Sequence, residues 1–192
     1  PKKKSADGSE EFAPTVPLLM DVSTSLQKAF DADMLNESLL KIRRALYFDL
    51  GVPFPGIQLR FNENLPPDAY NLMLSEVPVS QGVLRPGFLL VRESTANLDA
   101  LQIPYETGRD FLPHIRTLWV TDSLRESLMK AGIPFMDAHE VLTYHLAFVL
   151  KKYSSDFVGI QETRFLLTAM ESRFPDLVKE ATRVLPIQKI AE

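Results

Sequence analysis

His139, Glu140 and His145 all fall within "DAHEVLTYHLAFVLKKY", residues 137–153, which holds two of the three histidines of the chain. A histidine–carboxylate cluster on one helix is how many zinc hydrolases hold their ion, with the two histidines four residues apart. Four residues is about 40° around a helix, so both rings meet one metal. His139 and His145 are six residues apart, or roughly 120°, and no third ligand is close in sequence. The spacing therefore predicts no metal and no cofactor. It reads His139 as a first-turn surface residue, with Glu140 favourably placed near the positive end of the helix.

Other catalytic patterns are missing. The chain has no G-x-x-x-x-G-K-[ST] phosphate loop, no G-x-G-x-x-G turn and no G-x-S-x-G elbow. Its 8 glycines are unclustered, which leaves little bare backbone to wrap a phosphate. The Asp31/Asp33 and Glu171/Asp176 pairs read as surface charge. Trp119 sits in a strand pattern and reads as core rather than as a stacking platform. With 0 cysteines there is neither a disulfide nor a thiolate site. A net charge of −4 offers no basic footprint for nucleic acid. No apolar run approaches the roughly 20 residues of a membrane span, and no signal peptide is present.

The elements that would carry these residues follow from period and punctuation. At 192 residues, 45% hydrophobic and 24% charged, the chain suits one large domain or two small ones. It begins at Pro1 rather than Met, which points to a piece of a longer chain. "PKKKSADGSEEF" reads as a linker. A strand is expected within 16–22, then a helix capped by Asn36, with Leu39, Ile42 and Leu46 on its buried face and Gly51 as its stop. Alternation at Ile57, Leu59 and Phe61 predicts a half-buried strand, and the stretch from Tyr70 to Val91 predicts a meander of three more. Residues 94–114 are polar and irregular, and read as an insertion or the rim of a site. A strand over 115–120, a helix capped by Thr121 or Asp122 and ended by Gly132, and a brief strand in "IPFMD" lead to a helix capped by Asp137. From residue 158 the chain turns helical, with Pro175 and Pro186 at helix starts. Phe165, Leu166, Leu177, Val178, Leu185 and Ile190 give these last helices apolar faces. The expected class is α/β: a split first subdomain over 14–87 and 136–157, a small inserted α/β subdomain over 88–135, a linker over 1–13, and the start of a helical subdomain over 158–192.

The blocks "IQLRFNENLPPDAYNLML", "SQGVLRPGFLLV", "LWVTDSLRESLMKAGIPFMDAHEVLTYHL" and "GIQETRFLL…PDLVKEATRVLPIQKI" resemble, in order, the cytoplasmic half of the type III secretion export gate protein. That family serves virulence injectisomes and the flagellar export apparatus, and the injectisome branch is the nearer match. The family's "DNL" block stands here as Glu63-Asn64-Leu65. The resemblance implies a linker, two subdomains and part of a third, with the rest of the third and a fourth lying outside the chain. It implies a non-enzymatic part of a bacterial inner-membrane protein, facing the cytoplasm, whose membrane contact is through an absent N-terminal domain.

The implied partners are eight further copies in a homo-nonameric ring, export chaperone–substrate complexes, the gatekeeper that orders substrates, and other export apparatus components. In flagellar relatives a chaperone dimple is formed by an Asp and a Phe before the Trp strand and a Thr on the following helix. Those positions fall here at Asp110, Phe111 and Tyr144, the last a larger side chain than Thr. The ring contacts implied for the helical subdomain fall at Gln161, Glu162 and Arg164. A reading of another class is a small-molecule-binding or hydrolytic α/β domain that uses His145 and Glu140 under a lid made by residues 94–114.

Overall fold

A computed structural model describes residues 15–28, 30, 32–112 and 114–192, so the linker expected over 1–13, together with Asp31, lies outside the described residues. Strand β1 (Leu18–Ser23) is buried along its whole length. It is one of the two inner strands of a four-stranded sheet in the order β2-β1-β3-β4, with β2 at Gln58–Asn62, β3 at Ala69–Leu74 and β4 at Val77–Val83. The β1–β2 pair is parallel and the other two pairs are antiparallel. A parallel pair needs a crossover, supplied by helix α1 (Ala32–Leu50). The expected start at Asn36 is corrected to Ala32. Leu35 is buried in the core with Leu39 and Leu46, so the helix must already be wound before it. Gly51 closes α1 with a left-handed φ of +70°, its N–H donating to the Tyr47 carbonyl at 2.8 Å.

Strand alternation divides this sheet by chemistry. Leu18, Met20, Val22, Tyr70 and Leu72 face a core completed by α1 and by helix α4 (Ala138–Lys152). The opposite face is polar at its centre. There the buried Asp21 carboxylate accepts from Arg60 Nε at 2.8 Å and from Asn62 Nδ2 at 2.8 Å. The hydrogen bond from the Arg60 guanidinium holds the Asp21 carboxyl below the usual carboxylate range.

The third strand of the expected meander, β5 (Phe88–Val91), leaves that sheet for a second one in the order β6-β7-β5-β8, antiparallel throughout. Its other strands are β6 (Glu106–Thr107), β7 (Leu118–Thr121) and β8 (Phe135–Met136). Strand β7 begins three residues later than the expected 115. Leu89, Val91, Leu118 and Val120 pack with Leu98, Leu128 and Ile133 in a second core, whereas Leu90 and Trp119 face the first. Residues 94–114 are more ordered than their composition suggests. Ser94 caps helix α2 (Thr95–Ala100) by accepting from Asn97 N–H at 3.2 Å, and β6 lies in the same stretch. Neither Thr121 nor Asp122 caps helix α3 (Arg125–Lys130); a 3-10 turn at Asp122–Leu124 comes first, and the Asp122 carboxylate accepts from Arg125 at 2.7 Å instead.

Asp137 does cap α4. Its Oδ1 accepts from Glu140 N–H at 2.8 Å, and Glu140 Oε2 accepts from Asp137 N–H at 3.0 Å. Replacing Asp137 by Ala leaves the Glu140 N–H of the first turn short of its acceptor, for an expected cost of about 1 kcal/mol in denaturant unfolding. The chain ends in α5 (Ile160–Glu171), α6 (Pro175–Val184) and α7 (Ile187–Ala191). Of their apolar residues Val178 is buried, while Phe165, Leu177 and Leu185 are exposed. Among the described residues, no helix is long and apolar enough to cross a membrane.

Candidate functional site

Between the free edge of the first sheet and the second sheet lies a cleft of about 630 Å³. Strands β3 and β4 supply one wall through Tyr70, Ser80, Gly82 and Val83, and residues 108–111 with Thr117 and Trp119 supply the other. A strand glycine marks a close approach here: a Cβ on Gly82 would lie 2.5 Å from the Tyr70 ring. Asp110 holds its loop against β7 by accepting from Thr117 N–H at 2.7 Å. At the mouth, Arg85 pairs with Glu106.

Beneath the cleft the His145 ring bridges two strands of the first-sheet wall. Its Nδ1 is 2.7 Å from the Tyr70 hydroxyl and its Nε2 is 2.8 Å from Ser80 Oγ. A neutral imidazole donates from one nitrogen and accepts at the other, so two hydroxyls satisfy it in either tautomer. The Phe111 ring leans on both neighbours, 5.8 Å from His145 and 6.3 Å from Tyr70 between centroids. Burial pushes the His145 pKa down to about 4 and pushes the Tyr70 phenol up.

A serine and a histidine at 2.8 Å is also nucleophile-and-base geometry. Two features oppose that chemistry. The ring's other nitrogen meets a phenol rather than a carboxylate, so nothing stabilises the imidazolium. A base with a pKa near 4 takes protons poorly at neutral pH.

The structure brings two of the three expected dimple residues together. Asp110 and Phe111 line the cleft; Tyr144 does not, lying on α4 with its ring under the Arg92 guanidinium at 6.0 Å. Gln161 and Arg164 are exposed on the first turns of α5, and Glu162 accepts from Gly159 N–H at 3.0 Å. His139 differs from the surface reading: it is half-buried, because α4 starts against the second sheet, and its Nε2 is enclosed without a partner among the described residues. No group of three His, Cys, Asp or Glu that could hold a metal occurs among the described residues. Sequence reasoning missed Tyr70, Ser80 and the role of His145; the glycine within "VPVSQGV" was the one signal of close packing there.

The model of the FHIPEP family matches residues 1–192. The chain belongs to the FHIPEP family. Among FHIPEP relatives, "Low calcium response locus protein D" of Yersinia pestis is 51% identical over 95% of this chain and 26% of its own length. The chain thus spans about a quarter of the curated relatives it matches. The Chlamydia pneumoniae CdsV protein has the same fold, with a TM-score of 0.84 and 32% identity over 95% of this chain and 57% of that one. CdsV in complex with CdsO matches with the same score and identity over 54% of that chain. These relatives are export-gate proteins of type III secretion, and this chain is similar to their cytoplasmic domains, with the mixed α/β architecture expected from its sequence.

Proposed function

We propose that this chain is a docking platform of a type III secretion export gate: part of a ring of nine copies that receives chaperone–substrate complexes and the gatekeeper on the cytoplasmic face of the bacterial inner membrane. The observation that carries the reading is the cleft between the two sheets, walled by Asp110 and Phe111, in a family of secretion proteins. Its first-sheet wall is tied together by His145, hydrogen-bonded to Tyr70 and Ser80, and it opens beside exposed polar and apolar side chains. That suits binding a protein surface better than enclosing a small molecule. A homologue of CdsO is a further expected partner, by the CdsV complex. The proposed subdomain limits, 14–87 with 136–157, 88–135 and 158–192, put the cleft at the junction of the first two, and give Gln161, Glu162 and Arg164 of the third to ring contacts. Tyr144 is proposed as a contact at the outer edge of the same surface.

Calorimetric titration of the chain with a purified cognate chaperone–substrate complex tests this. Val83 is half-exposed at the cleft wall, so Val83→Arg fills the site without opening the core. The expected result is a loss of about tenfold or more in affinity, the size of a strong interface position. Affinity unchanged in Val83→Arg and in Tyr144→Ala would remove the cleft from the docking reading.

A further inference from the structure

Edge strands in soluble proteins are normally blunted by charge, proline or shortness, because an unpaired ladder invites another strand. Three of the four edges here follow that rule. Strand β2 carries Arg60, and β6 and β8 have 2 residues each. Strand β4, "VPVSQGV", has 7 residues and no charge. Pro78 protects only its first part, and the register with β3 shifts between Leu72 and Met73 opposite that part. Residues 80–83 are left as an uncharged edge, and this is the strip that lines the cleft.

The ladder shows which groups are open. Leu84 N–H donates to the Asp68 carbonyl at 2.8 Å, so 68 and 84 form a hydrogen-bonded pair. Antiparallel pairs alternate, and the register Tyr70↔Gly82 and Leu72↔Ser80 continues the bonded set. Gln81 and Val83 belong to the other set. Their N–H and C=O groups point away from β3, and among the described residues no strand pairs with that edge. Across the cleft, Asp110 is engaged by Thr117 and Arg85 by Glu106, while Arg109 is exposed and has no ion pair among the described residues.

We propose that β4 accepts an extended segment of a partner protein as an added strand. The segment is uncharged over the four residues beside 80–83, roughly 13 Å of strand, and carries an acidic residue where it passes Arg109. This deepens the docking reading and rests on it: main-chain bonds to Gln81 and Val83 would hold partners of unrelated sequence.

The test uses the 192-residue chain labelled with ¹⁵N and the peptide acetyl-Asp-Thr-Val-Thr-Val-Thr-amide. Two analogues are N-methylated on alternate amides, one on each set. A strand addition has a period of two, so one analogue is expected to lose about tenfold in affinity and the other to stay within about twofold. The amides of Gln81 and Val83 shift on binding. Gln81→Pro, which removes one outward N–H and no β3 bond, weakens the parent peptide by about tenfold. Equal binding of both analogues overturns the proposal without using any protein variant. Binding of a chaperone–substrate complex with no binding of the peptide overturns strand addition alone, and binding of neither overturns the docking reading as well.

Discussion

Between pH 7 and pH 4 the chain is expected to lose about 3 kcal/mol of folding stability through His145 alone. The folded pKa is about 4, against about 6.5 for an unfolded histidine. A folded-state pKa below the unfolded one means that the fold favours the neutral ring. Above pH 6.5 both states are neutral and the contribution is complete. As pH falls from 6.5 to 4 only the unfolded state takes the proton, so stability drops by about 1.4 kcal/mol per unit. Below pH 4 both states are protonated and the loss from this group stops. The cause is structural: the ring is buried against Tyr70, Ser80 and Phe111, with no carboxylate to stabilise the imidazolium. Asp21 titrates in a lower window, since Arg60 depresses its carboxyl, and its contribution is lost as pH falls through that lowered value. Urea unfolding at pH 7, 5.5 and 4 reads the effect, and His145→Gln isolates it. An equal loss over this range in wild type and variant would assign the acid sensitivity to other groups.

Trp119→Ala should cost more, about 3–5 kcal/mol, the range for deleting a large buried aromatic. Trp119 is among the largest fully buried side chains, and it sits on β7 opposite Leu90 of β5. Both residues reach through the second sheet into the first core, which they share with Met136, Leu142 and Leu146. The truncation therefore removes a contact between the two sheets, and it also removes part of one wall of the cleft. Guanidinium unfolding followed by circular dichroism checks the number. A cost near that of Arg164→Ala, an exposed position expected within about 0.5 kcal/mol, would mean that the two sheets do not depend on one another.

The parts of the fold legible in the sequence were those written in short-range pattern. An apolar run located β1, alternation located β2 to β4, the Pro86-Gly87 break marked the start of β5, Asp137 announced the cap of α4, and strand context put Trp119 in the core. What the sequence hid depends on partners far apart in it. Nothing around residue 145 says that its ring nitrogens meet Tyr70 and Ser80, because those contacts span 75 and 65 residues. The start of α1 was misread because Asn36 looks like a cap, whereas burial of Leu35 one position earlier decides the matter. Residues 94–114 read as an irregular insertion or the rim of a site because α2 and β6 are too short, at 6 and 2 residues, to register a period. Half of the candidate site was visible, at Asp110 and Phe111, through family likeness; its frame was not.

The position of α4 has a consequence for how the chain comes off the ribosome. The first core needs β1 from its beginning and α4 from beyond the second sheet, so it cannot close until residues 141–150 have emerged. The second core draws on residues 89–135 and is complete earlier. During synthesis, at about 5–20 residues per second, the inserted sheet can set while the apolar strands of β1 and β3 still wait for their cover. Those waiting strands, together with the uncharged β4 beside them, are the segments that a holding chaperone would have to shield in the nascent chain.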